Sequence, residues 1–247
     1  MIEGRTIALS AAVQFEIWEQ GAGWHPIDQA LLVLRYACPD QSMEEVSEWP
    51  IGLRDRRLLE IRRDTFGDHL EGYVECPACG SGLEFELSCE ALMRQGLHEG
   101  RASRTVECEG GVWELRMPNS RDLSVVVTTN DVRDAREALI ARCVTNRAES
   151  TAGPGLRSDA LQSTLAAELA ALDPLAEILI DLTCQACGHG WHSLFDIATF
   201  LWSEIRMRSR RLLQDIDVLA RTYGWPEQEI LRMSDRRRGL YVEMALS

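Results

Sequence analysis

Apolar residues in the first seventy positions recur at intervals of three and four, the signature of helices with one buried stripe. Leu9, Val13 and Ile17, with Trp18 beside it, form one such run, which Gly21 and Gly23 end. His25-Pro26 restarts the pattern: proline suits a first helical turn, and Ile27, Ala30, Leu31 and Leu34 supply the stripe. Ser42 and Glu45 have the spacing of a capping box for a short helix that must stop before Pro50. A helix over Gly52–Phe66 carries Leu53, Leu58, Leu59 and Ile61 on one side and arginines mostly on the other, and Gly67 closes it.

From Leu70 the period shortens to two. Tyr73-Val74 leads into Cys76, and Leu83, Phe85 and Leu87 alternate with Glu84 and Glu86, as in a half-buried strand. Thr105–Cys108 and Val112–Met117, joined across Glu109-Gly110-Gly111, predict a β-hairpin. Asp131–Val144 is helical in pattern, Asn146–Ser158 is a polar linker with a Gly-Pro-Gly core, and Ala160–Leu172 is a helix stopped by Asp173-Pro174. Ile178–Thr183 is again a strand. Asp196 then caps a long helix with Ile205, Leu212, Leu213, Ile216, Leu219 and Tyr223 on one face and a Glu204–Arg208 pair on the other. Gly224 ends it, Pro226 starts a short helix, and Ser234 caps a last one. The expected fold class is α+β. Helical regions over 1–69 and 196–247 flank a small strand-rich, zinc-ribbon-like middle, split into 70–88 and 175–195 by an insertion over 89–174 whose linker is 146–158.

The chemistry lies in a repeat. Cys76-Pro77-Ala78-Cys79-Gly80-Ser81-Gly82 matches Cys184-Gln185-Ala186-Cys187-Gly188-His189-Gly190 at five of seven positions. Two residues between cysteines let both sulfurs face one ion, and the glycine after the second permits the positive φ of a knuckle turn. Two knuckles predict a structural four-cysteine zinc site of Cys76, Cys79, Cys184 and Cys187, although 104 residues (80–183) separate the pairs where a compact ribbon has roughly 15–20. His189 or His192 standing in for one cysteine is the variant reading. Cys38, Cys89, Cys108 and Cys143 lack a paired partner and read as inert buried thiols.

Competing chemistries fit less well. A redox Cys-Pro-x-Cys pair opens a helix, whereas Gly-Ser-Gly and a strand follow Cys79. His69-Leu70-Glu71 hints at a zinc deaminase, but the gap to Cys76 leaves no room for that fold's halves. A nucleic-acid ribbon wants basic residues at its knuckles, and here Glu71, Glu75, Glu84 and Glu86 surround the first. No nucleophile array, phosphate-cradling loop or cofactor motif stands out, so neither an enzyme nor a small-molecule substrate is expected. The carboxylate pairs Glu44-Glu45 and Asp215 with Asp217 read as solvated faces, and the seven tryptophans as core or contact anchors.

Composition narrows the picture further. The 247 residues carry 39 acids against 26 bases, a net charge of −13, and every base is arginine. Such a chain repels polyphosphate, which disfavours nucleic-acid partners. The tail from Leu201 onward is the exception, with nine arginines to seven acids over 201–247. Eight cysteines are too sparse for a disulfide scaffold and two pairs have metal spacing, so reduced cytoplasm is the expected setting. No apolar run is long enough for a membrane span, and no secretory leader pattern opens the chain. Residues Ile2–Arg5 spell a common engineered protease site, a tag remnant or a coincidence.

Read in order, the motifs resemble a known family. They are Trp49-Pro50-Ile51-Gly52-Leu53-Arg54-Asp55-Arg56; Arg62-Arg63-Asp64-Thr65-Phe66-Gly67; Leu115-Arg116-Met117-Pro118-Asn119-Ser120-Arg121-Asp122-Leu123; Ala141-Arg142-Cys143-Val144; Asp173-Pro174-Leu175-Ala176; Phe195-Asp196-Ile197; and Tyr223-Gly224-Trp225-Pro226-Glu227 through Arg236-Arg237-Arg238. Their order is similar to that of the T4-type baseplate hub assembly chaperone-like proteins, phage baseplate proteins encoded with contractile injection systems. The resemblance implies a non-enzymatic assembly factor or structural component whose partners are baseplate or hub proteins of a contractile tail. A zinc-ribbon regulator that binds nucleic acid is the alternative. The C-terminal segment, with its arginines and Trp202, Trp225 and Tyr241, is the expected contact surface.

Overall fold

A computed structural model describes residues 6–95, 103–109, 111–146 and 158–247. Ile2–Arg5, Gly110 of the hairpin turn and residues 147–157 of the linker lie outside the described residues. The fold is α+β, with 59% of the described residues helical and 18% in strands. In chain order its elements are α1 (Ala11–Gly21), α2 (Pro26–Ala37), α3 (Met43–Ser47), α4 (Ile51–Phe66), β1 (His69–Glu75), β2 (Gly82–Ser88), α5 (Cys89–Gln95), β3 (Ser103–Cys108) and β4 (Gly111–Arg116). There follow α6 (Ser120–Val126), α7 (Val132–Cys143), α8 (Asp159–Leu172), a 3₁₀ turn (Pro174–Ala176), β5 (Leu179–Thr183), β6 (Gly190–Leu194), α9 (Ile197–Tyr223), α10 (Glu227–Leu231) and α11 (Asp235–Leu246).

The strands form three separate antiparallel hairpins, β1–β2, β3–β4 and β5–β6. Among the described residues no backbone ladder joins one hairpin to another, so side chains must hold them in place. Two of the three apolar clusters among the described residues do so. The largest gathers α1, α2, α4, β1, α5, β5 and the first half of α9 around Ile17, Leu34, Leu58, Leu59, Ile61, Leu70 and Ile205. A second joins Val106, Trp113 and Leu115 of the β3–β4 hairpin to Ile140, Leu161 and Leu165 of α7 and α8. The third packs Phe15 against Leu212, Ile216, Leu219 and Ile230. Cys89, Leu92 and Met93 of α5 belong to the first cluster; the insertion acquires a core of its own only from β3 onward.

Capping explains several boundaries. Ser42 accepts from the Glu45 N–H at 3.2 Å while Glu45 accepts from the Ser42 N–H at 2.7 Å, the reciprocal box its spacing predicts. Asn119 and Asp122 make the same exchange at the start of α6, a helix that the periodicity does not announce. Short α5 is likewise invisible in the pattern, its seven residues being too few to show a period. Two predicted features of α9 differ. Leu213 is 40% exposed and lies off the buried face. Glu204 does not pair with Arg208: it takes two bonds, 2.9 and 3.0 Å, from Arg62, and Arg208 lies over the Phe66 ring at 5.2 Å.

Helix α4 begins at Pro50, which has no side chain to cap it. Its first free N–H groups are satisfied from the far side of the insertion. Ile51 N donates to the Pro118 carbonyl at 2.9 Å, and Gly52 N donates to Asp173 Oδ2 at 2.8 Å, across 121 residues. The fit demands glycine, because a Cβ at position 52 would stand 1.8 Å from Asp173 Oδ1. Close by, the fully buried Asp122 carboxylate takes a two-pronged contact from Arg116, at 2.6 and 2.9 Å, and a third from Arg142 at 2.8 Å. Burial alone would raise its pKa; the Arg116 bonds, the Asn119 N–H and Arg142 outweigh that and hold it below the ordinary carboxylate range.

Both contacts can be tested by substitution. Gly52→Ala should cost about 2–4 kcal/mol by expelling the Asp173 cap; in an Asp173→Ala background the same change should cost much less, and denaturant unfolding of the four proteins measures that coupling. Asp122→Asn should cost about 3 kcal/mol near neutral pH. Because the folded-state pKa of Asp122 is depressed, its contribution is present above the unfolded-state pKa and disappears as pH falls through the folded-state value, so the two unfolding curves should converge in acid.

Candidate metal centre

Each knuckle is a hairpin turn of six residues. Glu75 pairs with Gly82 below the first and Thr183 with Gly190 below the second. Within the first, Cys76 N donates to the Ser81 carbonyl and Gly80 N to the Cys76 carbonyl, both at 2.9 Å. Within the second, Cys184 N donates to the His189 carbonyl and Gly188 N to that of Cys184, again at 2.9 Å. Gly80 and Gly188 sit at φ of 71° and 73°, a conformation that L side chains resist. Cys76-Pro77-Ala78-Cys79 is therefore a turn and does not open a helix, the geometry a low-pKa redox pair needs.

The two turns bring all four cysteines together. The Cys76 and Cys187 sulfurs are 3.8 Å apart, those of Cys79 and Cys184 3.7 Å, and the four Sγ atoms lie within 4.8 Å of one another. The first cysteine of each pair is buried and the second exposed, so one side of the cluster faces the core and the other faces solvent. These distances are far beyond a disulfide bond of about 2.05 Å; they describe a donor cluster that can hold a metal ion.

The thiols alone are electrostatically frustrated. The Ser81 hydroxyl and N–H, with lesser help from Cys187 and Cys184, bring the Cys79 thiol down to about 6. For Cys187, the His189 N–H favours the thiolate, but the neighbouring Cys79, Cys184 and Cys76 sulfurs push it up to about 12. Four anions at this spacing need a cation among them.

Neither histidine belongs to the cluster. His192 Nδ1 lies 2.5 Å from Asp181 across the β5–β6 pair, and the His189 ring stacks on Trp191 with centroids 6.0 Å apart. His69 and Glu71 stand exposed on β1, near Glu86, and do not join the sulfurs. Among the other thiols Cys38, Cys89 and Cys143 are buried and Cys108 half-buried; desolvation raises all four, Cys143 to about 12.

The C-terminal residues expected at a contact surface are partly occupied within the fold. Trp202 packs on Gly21, Tyr223, Trp225 and Tyr241 contact one another, and Arg238 is buried against Asp215 and Asp235. Asp215 is thus an ion-pair partner and not a merely solvated carboxylate, and Asp217 pairs with Arg221. Arg206, Arg210 and Arg221 remain exposed on α9. Among the described residues no helix is long and apolar enough to cross a membrane.

Purified protein should carry one metal ion per chain by elemental analysis. Cys184→Ser should abolish that stoichiometry and lower the midpoint of thermal unfolding by roughly 10–20 °C, a loss of several kcal/mol. Cys38→Ser, outside the cluster, should leave the metal content unchanged. Comparison of the chain with protein families, curated proteins and solved structures returns no match.

Proposed function

We propose that this chain is a non-enzymatic assembly factor or structural component of the baseplate or hub of a phage-tail-like contractile injection system, working in the cytoplasm around a structural zinc ion. The observation that carries the structural half is the closed sulfur cluster. A tetrahedron with Zn–S bonds of about 2.3 Å has edges of about 3.8 Å, against the 3.7 and 3.8 Å between the cysteines of opposite knuckles. Cys76, Cys79, Cys184 and Cys187 would occupy all four positions, as in structural sites, with none left for a substrate or water. Bound zinc supplies charge neutralisation and cross-linking here; the chain's own part is to aim four sulfurs from two glycine-permitted turns.

The resemblance in sequence carries the baseplate half, and the arrangement of its motifs agrees with it. Segments that are scattered along the chain meet at one junction. Pro50 bridges Asn119, Gly52 meets Asp173, Arg142 meets Asp122, and Asn119 donates to Glu48 at 3.0 Å. Four of the seven motif segments thus build one junction, which is what a structural role asks of them. The exposed arginines of α9 offer an acidic partner a complementary face, while Glu71, Glu75, Glu84 and Glu86 project from the first knuckle's hairpin and repel nucleic acid.

Purification of the tagged protein from cells that make a contractile tail tests this directly. Baseplate or hub proteins should co-purify, and the triple substitution Arg206→Glu, Arg210→Glu, Arg221→Glu should reduce their recovery about tenfold or more without changing the melting temperature. Recovery of no tail protein, together with salt-dependent DNA binding, would instead support the regulatory alternative.

A further inference from the structure

A cleft of about 630 Å³ opens between the start of α4 and the lobe made by α7 and α8, with the β6–α9 corner as its third wall. Much of that wall is apolar, including Ile51, Leu139, Leu169 and Phe195. Its charged groups are more telling. Arg54 and Asp55 lie side by side in the buried interior, 6% and 7% exposed, joined by a 2.7 Å bond from Arg54 Nε to Asp55 Oδ1. Asp173 is also buried, while Asp196, Glu177 and Arg136 stand toward solvent.

The carboxylates around this cleft are not equally occupied. Asp173 holds the Gly52 N–H, and Asp196 caps α9 by accepting from Ala198 and Thr199. Asp55 has a single protein partner, and among the described residues no donor reaches its second oxygen. An ionised carboxylate accepts about four hydrogen bonds, so Asp55, which lines the cleft, has acceptor capacity open to a ligand there. Burial, with the charges of Asp196 and Asp173 adding to it, pushes the Asp55 carboxyl up to about 6 in spite of Arg54. Four acids against two arginines leave the cleft with an excess of negative charge, and Arg54 is already committed to its neighbour. An anion finds no free cation at the bottom, whereas a cation finds an open acceptor.

We propose that this cleft is a binding site for a small amphiphilic organic cation, whose protonated amine or guanidine donates to Asp55 and whose apolar stem lies against α7, α8 and Phe195. The volume falls in the range of small-molecule sites, about 300–1,000 Å³, and one protein side chain would fill only a fraction of it. Such a ligand would complete the hydrogen bonding of Asp55 and relieve the repulsion from Asp173 and Asp196 in one step. It adds a small-molecule function to a chain whose sequence suggests none, and it does not depend on the metal or on any tail protein.

The test is titration of the metal-loaded full chain with 4-phenylbutylamine, followed by calorimetry and by amide chemical shifts, with 4-phenylbutanol and 5-phenylpentanoate as neutral and anionic controls. The amine should bind at least about tenfold more tightly than the alcohol, the carboxylate should not saturate, and the shifts should cluster at residues of α4, α8 and the β6–α9 corner. Asp55→Asn should weaken the amine about tenfold or more. Since that change also unpairs Arg54, Ala170→Trp serves as the second variant: position 170 is exposed on the cleft wall, so it should block binding while melting temperature and metal content stay unchanged. Equal affinity for amine, alcohol and carboxylate, no saturable amine binding at millimolar concentration, or amine binding undiminished by Ala170→Trp would each overturn the proposal.

Discussion

Two hairpins that share no backbone hydrogen bond end in four sulfurs clustered within 4.8 Å, a spacing at which one metal ion could serve all four as a common partner. Their bases are anchored by Leu70, Ile180 and Leu182 in the main apolar cluster, but the tips project away from it, with Cys79 and Cys187 exposed. A cation among the sulfurs would turn mutual repulsion into attraction and would close a chain segment of 104 residues. By the usual loop-closure relation, a cross-link over that length removes on the order of 5 kcal/mol of unfolded-chain entropy.

The same insertion is closed a second time, with different chemistry. Asp173 precedes β5 by a few residues and reaches back to cap α4, while Pro118 offers its carbonyl to the same helix end. The first turn of helix α4 is therefore capped by the insertion and not by its own flanking side chains. Arg62, at the other end of α4, donates to the Gly67 and His69 carbonyls and to Glu204, which fixes the angle at which β1 leaves toward the first knuckle. One helix thus sets both the insertion's return and the first hairpin's aim.

What was legible in the sequence was what has a local signature. The paired cysteines with their glycines, the Ser42–Glu45 box and the alternation through Leu83, Phe85 and Leu87 show themselves within a dozen residues, and the long α9 through a single repeated stripe. The convergence of the knuckles was inferable from their repetition alone, since nothing local records a partner 104 residues away. The Asp173–Gly52 contact had no such repeat to betray it, and the charged floor of the cleft was hidden for the same reason. Glu204 shows how a local rule fails: an exposed i,i+4 pair with Arg208 is worth only a few tenths of a kcal/mol, and the two-pronged bond to buried Arg62 outcompetes it. The Asn119-x-x-Asp122 spacing was a signal that could have revealed α6, had the capping box been read with Asn and Asp in place of Ser and Glu.

The clamp and the cleft are built from one continuous stretch of chain. β5 and β6 carry the second knuckle at their tip, and at their base Leu179 pairs with Leu194; Ile178, Leu194, Phe195 and Asp196 then form the third wall of the cleft. Phe195 N donates to the Ile178 carbonyl at 2.8 Å, so the wall is an extension of the hairpin's own ladder. On the opposite side the cleft is bounded by Ile51, Arg54 and Asp55 of α4, whose first turn is held by Asp173. The hairpin that aims two of the sulfurs and the helix that Asp173 caps are therefore opposite walls of one cleft, and a change of angle at either would change its width.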